Sequence, residues 1–221
     1  MVVNRGREAW KTYNNVFDQF TITNLERMQD RGFFDELESS IALGKEANIF
    51  IARKGSDQII IKIYRLENVN FNQMTTYLRQ DPRYERIGGD KRKIVFAWTQ
   101  REYRNLLIAR ETIRVPTPIF FFSNIILMEM IGEPAPKVKD QIPKDPAAFE
   151  KEIYANMDKL WKGGLVHGDL SSFNILNFDE KPVFIDFSQS TVTQNAQAKS
   201  LFERDKKNIA DFFVKIKRKN K

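Results

Sequence analysis

His167-Gly168-Asp169-Leu170-Ser171-Ser172-Phe173-Asn174, followed by Asp186 inside Val183-Phe184-Ile185-Asp186-Phe187, is the stretch that decides the fold. An aspartate, an asparagine five residues on and a second aspartate twelve residues after that are the parts a phosphoryl-transfer site needs. One carboxylate accepts the proton of the attacking hydroxyl, while an amide oxygen and a second carboxylate hold magnesium on the nucleotide phosphates. The last two lie beside apolar, strand-like runs, Ile175-Leu176 and Val183-Phe184-Ile185. Side chains fixed at strand ends are held more tightly than those on free loops.

Just upstream, Asp145 can cap a helix with Pro146 at its first position; Phe149, Ile153, Met157 and Leu160 form its apolar stripe, and Gly163-Gly164 end it. Downstream, a helix is expected from about Ser200 to Lys217. Before Asp145, the cluster Ile131-Gly132-Glu133-Pro134-Ala135-Pro136 reads as a hinge, because Pro and Gly gather where the apolar strands stop. The preceding part is strand-rich. Ile49 to Arg53 and Gln58 to Tyr64 flank a turn at Lys54-Gly55-Ser56-Asp57, and Ile119 to Phe122 and Ile125 to Met128 flank Ser123-Asn124. A helix is predicted from Thr99 to about Glu111, stopped by Val115-Pro116-Thr117-Pro118. Residues 8 to 36 read as helical, with capping-box form at Thr23-Asn24-Leu25-Glu26. Residues 70–97, polar and broken by Asp81-Pro82 and Gly88-Gly89, read as a mobile insertion.

The fold class expected is α+β, a trimmed two-lobe kinase-like fold with a sheet-rich N-lobe and a small helical C-lobe. The ranges are 1–36 for an N-terminal helical extension, 37–131 for the N-lobe and 132–221 for the C-lobe, with the site in the cleft between the lobes.

Period-two alternation places Ile60, Lys62 and Tyr64 on one face of their strand and Ile59, Ile61 and Ile63 on the other. Lys62 is then a charge within a strand that otherwise reads as buried. It is either an edge lysine reaching water or a phosphate-binding lysine held by a helix carboxylate. Glu102, which shares a helix face with Leu106 and Ala109, is the candidate carboxylate, with Glu111 as the alternative. Leu43 to Phe50 is where a phosphate-covering loop would lie, although its single glycine, Gly44, on loop chemistry alone favours a plain turn. His167 is assigned a structural role, bonding a backbone carbonyl.

Composition excludes other chemistries. The chain of 221 residues has no cysteine and one histidine, which removes disulfides, thiolate metal sites and multi-histidine zinc centres. No signal-peptide or membrane-length apolar run is present, and the reading is a cytoplasmic protein without a membrane partner. The net charge of +7 favours polyanions weakly. The basic end, Lys215 to Lys221, is either a solvated helix terminus or a nucleic-acid contact.

The segments Gly44-Lys45-Glu46-Ala47-Asn48-Ile49-Phe50, Ile61-Lys62-Ile63-Tyr64-Arg65, Glu102-Tyr103-Arg104-Asn105-Leu106, His167-Gly168-Asp169-Leu170-Ser171, Asn174-Ile175-Leu176 and Ile185-Asp186-Phe187-Ser188-Gln189-Ser190 resemble, in order, the signature segments of the RIO family of atypical protein kinases. The Gly-Lys-Glu-Ala-Asn form, and the lack of room for a winged-helix domain, resemble the type-1 branch. The resemblance implies ATP and Mg2+ as cofactors, serine autophosphorylation, ATP hydrolysis, and a partner in the maturing small ribosomal subunit. By position it implies that Lys62 contacts phosphates, Lys45 belongs to the phosphate loop, and Glu129, Met130 and Ile131 hold adenine. Asp169 becomes the catalytic aspartate, Asn174 and Asp186 bind metal, and Asp186 accepts phosphate as an acyl-phosphate. Where the type-1 pattern has Ser-Thr before Gly-Lys, this chain has Ala42-Leu43, which leaves backbone amides, Lys45 and Lys62 to meet the phosphates.

Two rival readings stand beside this one. Aminoglycoside and choline kinases are similar around Asp169 but usually need a larger helical lobe. A ribosome-assembly factor could also use nucleotide only as a conformational switch.

Overall fold

The computed structural model describes residues 17–219 except 68, 82, 85 and 86, so the part of the expected helical stretch before residue 17 and the last two residues, Asn220 and Lys221, lie outside the described residues. The described chain forms two compact units. One takes in the described residues within Met1–Leu78, Arg86–Gln100 and Pro118–Met130, and the other those within Arg79–Glu85, Arg101–Thr117 and Ile131–Lys221. Each unit is assembled from several segments of the chain.

The first unit is built on a five-stranded antiparallel sheet of order β1-β2-β3-β5-β4. Its strands are β1 (Glu36–Leu43), β2 (Ala47–Lys54), β3 (Asp57–Tyr64), β4 (Pro118–Phe122) and β5 (Ile125–Glu129). β1 was not anticipated; most of its residues are exposed, so it lacks the apolar alternation that marks a half-buried strand. Both expected hairpins form. Gly55 takes a left-handed φ of +62° between the paired Lys54 and Asp57, and Ser123 takes +53° between Phe122 and Ile125. Asn124 locks the second turn by donating from Nδ2 to the Tyr64 carbonyl at 2.7 Å and to Thr21 Oγ1 at 2.9 Å.

Helix α1 (Gln19–Asp30) packs with this sheet: Leu25 and Met28 join Phe34, Phe50, Ile61 and Leu127 in one buried cluster. Each such side chain contributes about 1.5–3 kcal/mol on burial. The cap of α1 is Asp18, which accepts the Thr21 amide at 3.0 Å. Thr23, expected in a capping box, instead sits inside the helix and donates its hydroxyl to the Gln19 carbonyl. The stretch 70–97 contains helix α2 (Phe71–Arg79) and the start of α3 (Lys91–Ala109). α3 begins eight residues before Thr99, because Asp90 caps it through the Lys93 amide, and Ile94, Val95 and Trp98 are buried at helical spacing.

In the second unit, α4 (Pro146–Lys162) starts at the expected cap, with Asp145 Oδ1 accepting the Ala147 and Ala148 amides, and buries Phe149, Ile153, Met157 and Leu160. The closing helix α5 runs Ala198–Lys219. Two small antiparallel pairs complete the unit: β6 (Leu165–Val166) with β9 (Thr191–Val192), and β7 (Ile175–Phe178) with β8 (Lys181–Phe184).

Candidate active site

Within the second unit, Asn174 and Asp186 flank one hairpin. Ile175 pairs with Phe184, and just outside the strands the Ile185 amide donates to the Asn174 carbonyl at 3.0 Å. At the other end Asp179 and Glu180 turn the chain with φ of +50° and +62°, the left-handed pair a two-residue hairpin needs. The side chain of Asn174 reaches back to the loop that carries Asp169. Its Nδ2 donates to the Asp169 carbonyl at 2.9 Å and to Asp169 Oδ2 at 3.3 Å. That orientation leaves the Asn174 amide oxygen without a donor among the described residues.

Asp186 itself adopts φ +64°, an unusual backbone for a residue with a Cβ, and its Oδ1 accepts the Ser188 hydroxyl at 2.8 Å. Such local strain persists only where surroundings hold it in place. Here they do. Asn105 of α3 donates from Nδ2 to the Phe187 carbonyl at 3.0 Å and the Ser190 carbonyl at 2.9 Å, and Arg101 Nη1 donates to the Ser188 carbonyl at 3.2 Å. Both side chains are wholly buried. Arg101 is in turn held by Asp81 at 3.3 Å, which also receives Arg83 at 2.6–3.1 Å, and Arg83 reaches the Asn105 amide oxygen at 2.8 Å. Burial alone would raise the Asp81 carboxyl, but the hydrogen bonds and charge of Arg83, with Arg101, hold it below the usual carboxylate range. Burial lowers the Arg101 guanidinium from its ordinary value despite the Asp81 charge.

The Asp169 loop is fastened from the other side by Asp205 of α5. Asp205 Oδ2 accepts the Gly168 amide at 2.8 Å and Oδ1 the Leu170 amide at 3.0 Å, while Arg204 donates to the Gly168 carbonyl. Burial pushes the Asp205 carboxyl up to about 7, against the two amides and Arg204. His167, 2% exposed, meets the Ile185 carbonyl through Nε2 at 3.0 Å, so that nitrogen carries the proton. Its Nδ1 then accepts the Asp169 amide at 3.3 Å. The structural role expected of His167 fits this geometry.

In the first unit, Lys62 lies in the inner strand β3, only 6% exposed, with Nζ 5.0 Å from the Tyr64 ring centre. The edge-strand alternative is therefore ruled out. Lys45 is exposed in the β1–β2 turn, where the Gly44 amide donates to the Ala47 carbonyl at 3.0 Å. A Cβ at Gly44 would lie 2.6 Å from that carbonyl oxygen, so glycine is required for the turn to close. Glu129 ends β5 and Met130 follows it, both half-buried. In the second unit Glu102 (1% exposed) and Ile131 (4%) are buried. Sequence reasoning missed Asp81, Arg101, Asn105 and Asp205 as positioning groups: Asp81 reads only as a breaker, Arg101 only as part of a helix, and Asn105 alone lies in a segment of the family resemblance.

The donor set suits magnesium. Among the described residues no cluster of His, Cys, Asp and Glu would cage a metal ion by itself. An amide oxygen and a carboxylate are hard ligands of the kind Mg2+ accepts when substrate phosphates and water supply the rest. Among the described residues no helix is long and apolar enough to cross a membrane.

Comparison with known proteins agrees with this architecture. A RIO domain matches residues 48–221. The RIO-type serine/threonine-protein kinase Rio1 of Methanocaldococcus jannaschii is 41% identical over 210 residues, covering 93% of this chain and 72% of the relative. That of Haloferax volcanii is 36% identical, covering 93% and 73%. A crystal structure of the Rio2 kinase-ADP/Mg2+-phosphoaspartate complex from Chaetomium thermophilum superposes with a TM-score of 0.69 at 27% identity, over 86% of this chain and 59% of that one. With the domain match spanning most of its length and Rio1 relatives across nine-tenths of it, the chain belongs to the RIO family of serine/threonine-protein kinases, in its Rio1 branch.

Proposed function

We propose that the chain transfers the γ-phosphoryl group of ATP, with Mg2+, both to serine hydroxyls and, through hydrolysis, to water, in maturation of the small ribosomal subunit. The observation that carries this reading is the Asn174 amide, which is bonded to Asp169 while its oxygen stays open beside the hairpin that also presents Asp186. Asp169 orients the acceptor and takes its proton. Asn174 and Asp186 hold Mg2+, which neutralises phosphate charge when bound. Lys62 and Lys45 meet the phosphates, Glu102 supports Lys62, and Glu129, Met130 and Ile131 receive the adenine. Its place of action in this reading is the cytoplasm.

An acyl-phosphate route deepens the proposal. The Asp186 carboxylate attacks the γ-phosphorus, an O–P bond forms, the bond from γ-phosphorus to the β,γ-bridging oxygen breaks, and ADP leaves. Water then attacks the aspartyl phosphate, releasing inorganic phosphate and restoring the carboxylate. The phosphoaspartate in the Chaetomium Rio2 complex supports this route by kinship.

The test is incubation with γ-labelled ATP and magnesium, with and without small-subunit precursors. Protein-bound label lost on hydroxylamine treatment is expected from the acyl-phosphate, and hydroxylamine-resistant label from phosphoserine. Transfer to an aminoglycoside or to choline in preference to protein or water would overturn the proposal.

A further inference from the structure

The second unit has a cavity of about 760 Å3 at the turn end of the β7–β8 hairpin, lined also by α4 and by the connection from α3 to β4. Its volume lies in the range of ligand sites. Each hairpin strand has four residues, so the cavity lies about 13 Å along the hairpin from Asn174 and Asp186.

Two features of the lining point to a ligand. Asn156, on α4, is 8% exposed, and its side-chain amide has no hydrogen bond among the described residues. The Asn156 amide is not among the enclosed polar atoms, so it stands open to the cavity, and nothing in helix packing calls for asparagine there, beside the apolar Ile153, Met157 and Leu160. Glu152, Asn156 and Lys159 stand at i, i+4 and i+7, so one helix face presents an acid, an amide and a base to the same space.

The second feature is charge. Arg110, Arg114, Lys159 and Lys181 line the cavity together with Glu111, Glu152 and Asp179; Arg114 donates to the Val115 carbonyl at 2.7 Å, and none of the other six forms an ion pair or side-chain hydrogen bond among the described residues. Opposite charges that share a cavity without pairing suit a ligand that carries both signs. A polyanion would meet the three carboxylates, and a polycation the four bases. An asparagine amide offers one acceptor and a donor pair, the complement of a peptide group.

We propose that this cavity docks an extended peptide segment of a partner protein bearing both acidic and basic side chains, with Asn156 pairing to one of its backbone amides. The site goes beyond the kinase reading and does not depend on it.

Fluorescence anisotropy without nucleotide tests it, using labelled synthetic peptides of alternating lysine, glycine and glutamate, with lysine–glycine and glutamate–glycine peptides as comparators. The alternating peptide is expected to bind about tenfold or more tighter than either comparator, and Asn156→Leu to weaken it about tenfold without lowering the melting temperature. The double variant Lys159→Glu/Lys181→Glu, altered only at exposed positions, is expected to shift preference to the lysine peptide. Equal binding of all three peptides, binding indifferent to these variants, or tighter binding of a single-stranded oligonucleotide would overturn the proposal.

Discussion

The carboxylate of Asp205 accepts the backbone amide of Leu170 at 3.0 Å, tying the last helix to the loop that carries Asp169. Its other oxygen takes the Gly168 amide, so one side chain holds both peptide groups that bracket Asp169. The carboxyl is buried and its pKa rises from 3.8 to about 7. A folded-state value above the unfolded one means that the native protein binds this proton more tightly. The associated stabilisation is fully present below pH 3.8 and is lost as pH rises through about 7. Its upper limit is about 4 kcal/mol. Urea unfolding of wild type and Asp205→Asn across this window is expected to show the wild type gaining on the variant as pH falls from 7 toward 4. A difference independent of pH would refute the assignment.

Asn105→Ala removes the donor to the Phe187 and Ser190 carbonyls and the acceptor of Arg83. At about 1 kcal/mol per buried hydrogen bond, the expected loss is about 2–3 kcal/mol. Because those carbonyls fix the segment just after Asp186, magnesium-dependent turnover should fall more than nucleotide binding. Calorimetry and a labelled-ATP assay read the two effects separately.

Asp169→Ala is expected to lower phosphoryl transfer by about 10²–10⁴-fold while sparing nucleotide affinity, as loss of a proton acceptor does. Asn174→Ala should instead raise the magnesium concentration needed for half-maximal rate. Labelling at wild-type rate in Asp169→Ala would remove that residue from the chemistry.

Gly168 has φ +77°, and an added Cβ would lie 2.9 Å from the Gln189 carbonyl oxygen. Gly168→Ala therefore combines a left-handed backbone penalty of about 1–2 kcal/mol with a clash against backbone that cannot turn aside. Thermal unfolding should show a clear loss, whereas Gly164→Ala, with open space around it, should show the backbone cost alone.

What could be read in the sequence was local. Asp169, Asn174 and Asp186 lie close along the chain, joined by one turn and one hairpin, so spacing alone implied their arrangement. Asp145 and Pro146 announced α4 for the same reason. The groups that hold the site in place are different: Asn105 lies 82 residues from Phe187, Arg101 87 from Ser188, and Asp205 35 from Leu170. Nothing near Asp205, in the run Glu203-Arg204-Asp205-Lys206-Lys207, marks one acid as buried among exposed charges. β1 escaped because its outward residues blur the alternation, and the start of α3 because Gly88-Gly89 drew attention away from the cap at Asp90.

The tight turn at Asp179-Glu180 bears on enzyme evolution as well as on folding. Strands so short carry little pairing of their own, and a slip of one position would swing an entire edge of side chains to the opposite side. Register is set at the tip, while its effect falls on Asn174 and Asp186 at the open end. Length changes in this loop would therefore silence a RIO kinase without touching a single reactive group, and natural variation there should be confined to residues that keep the bend.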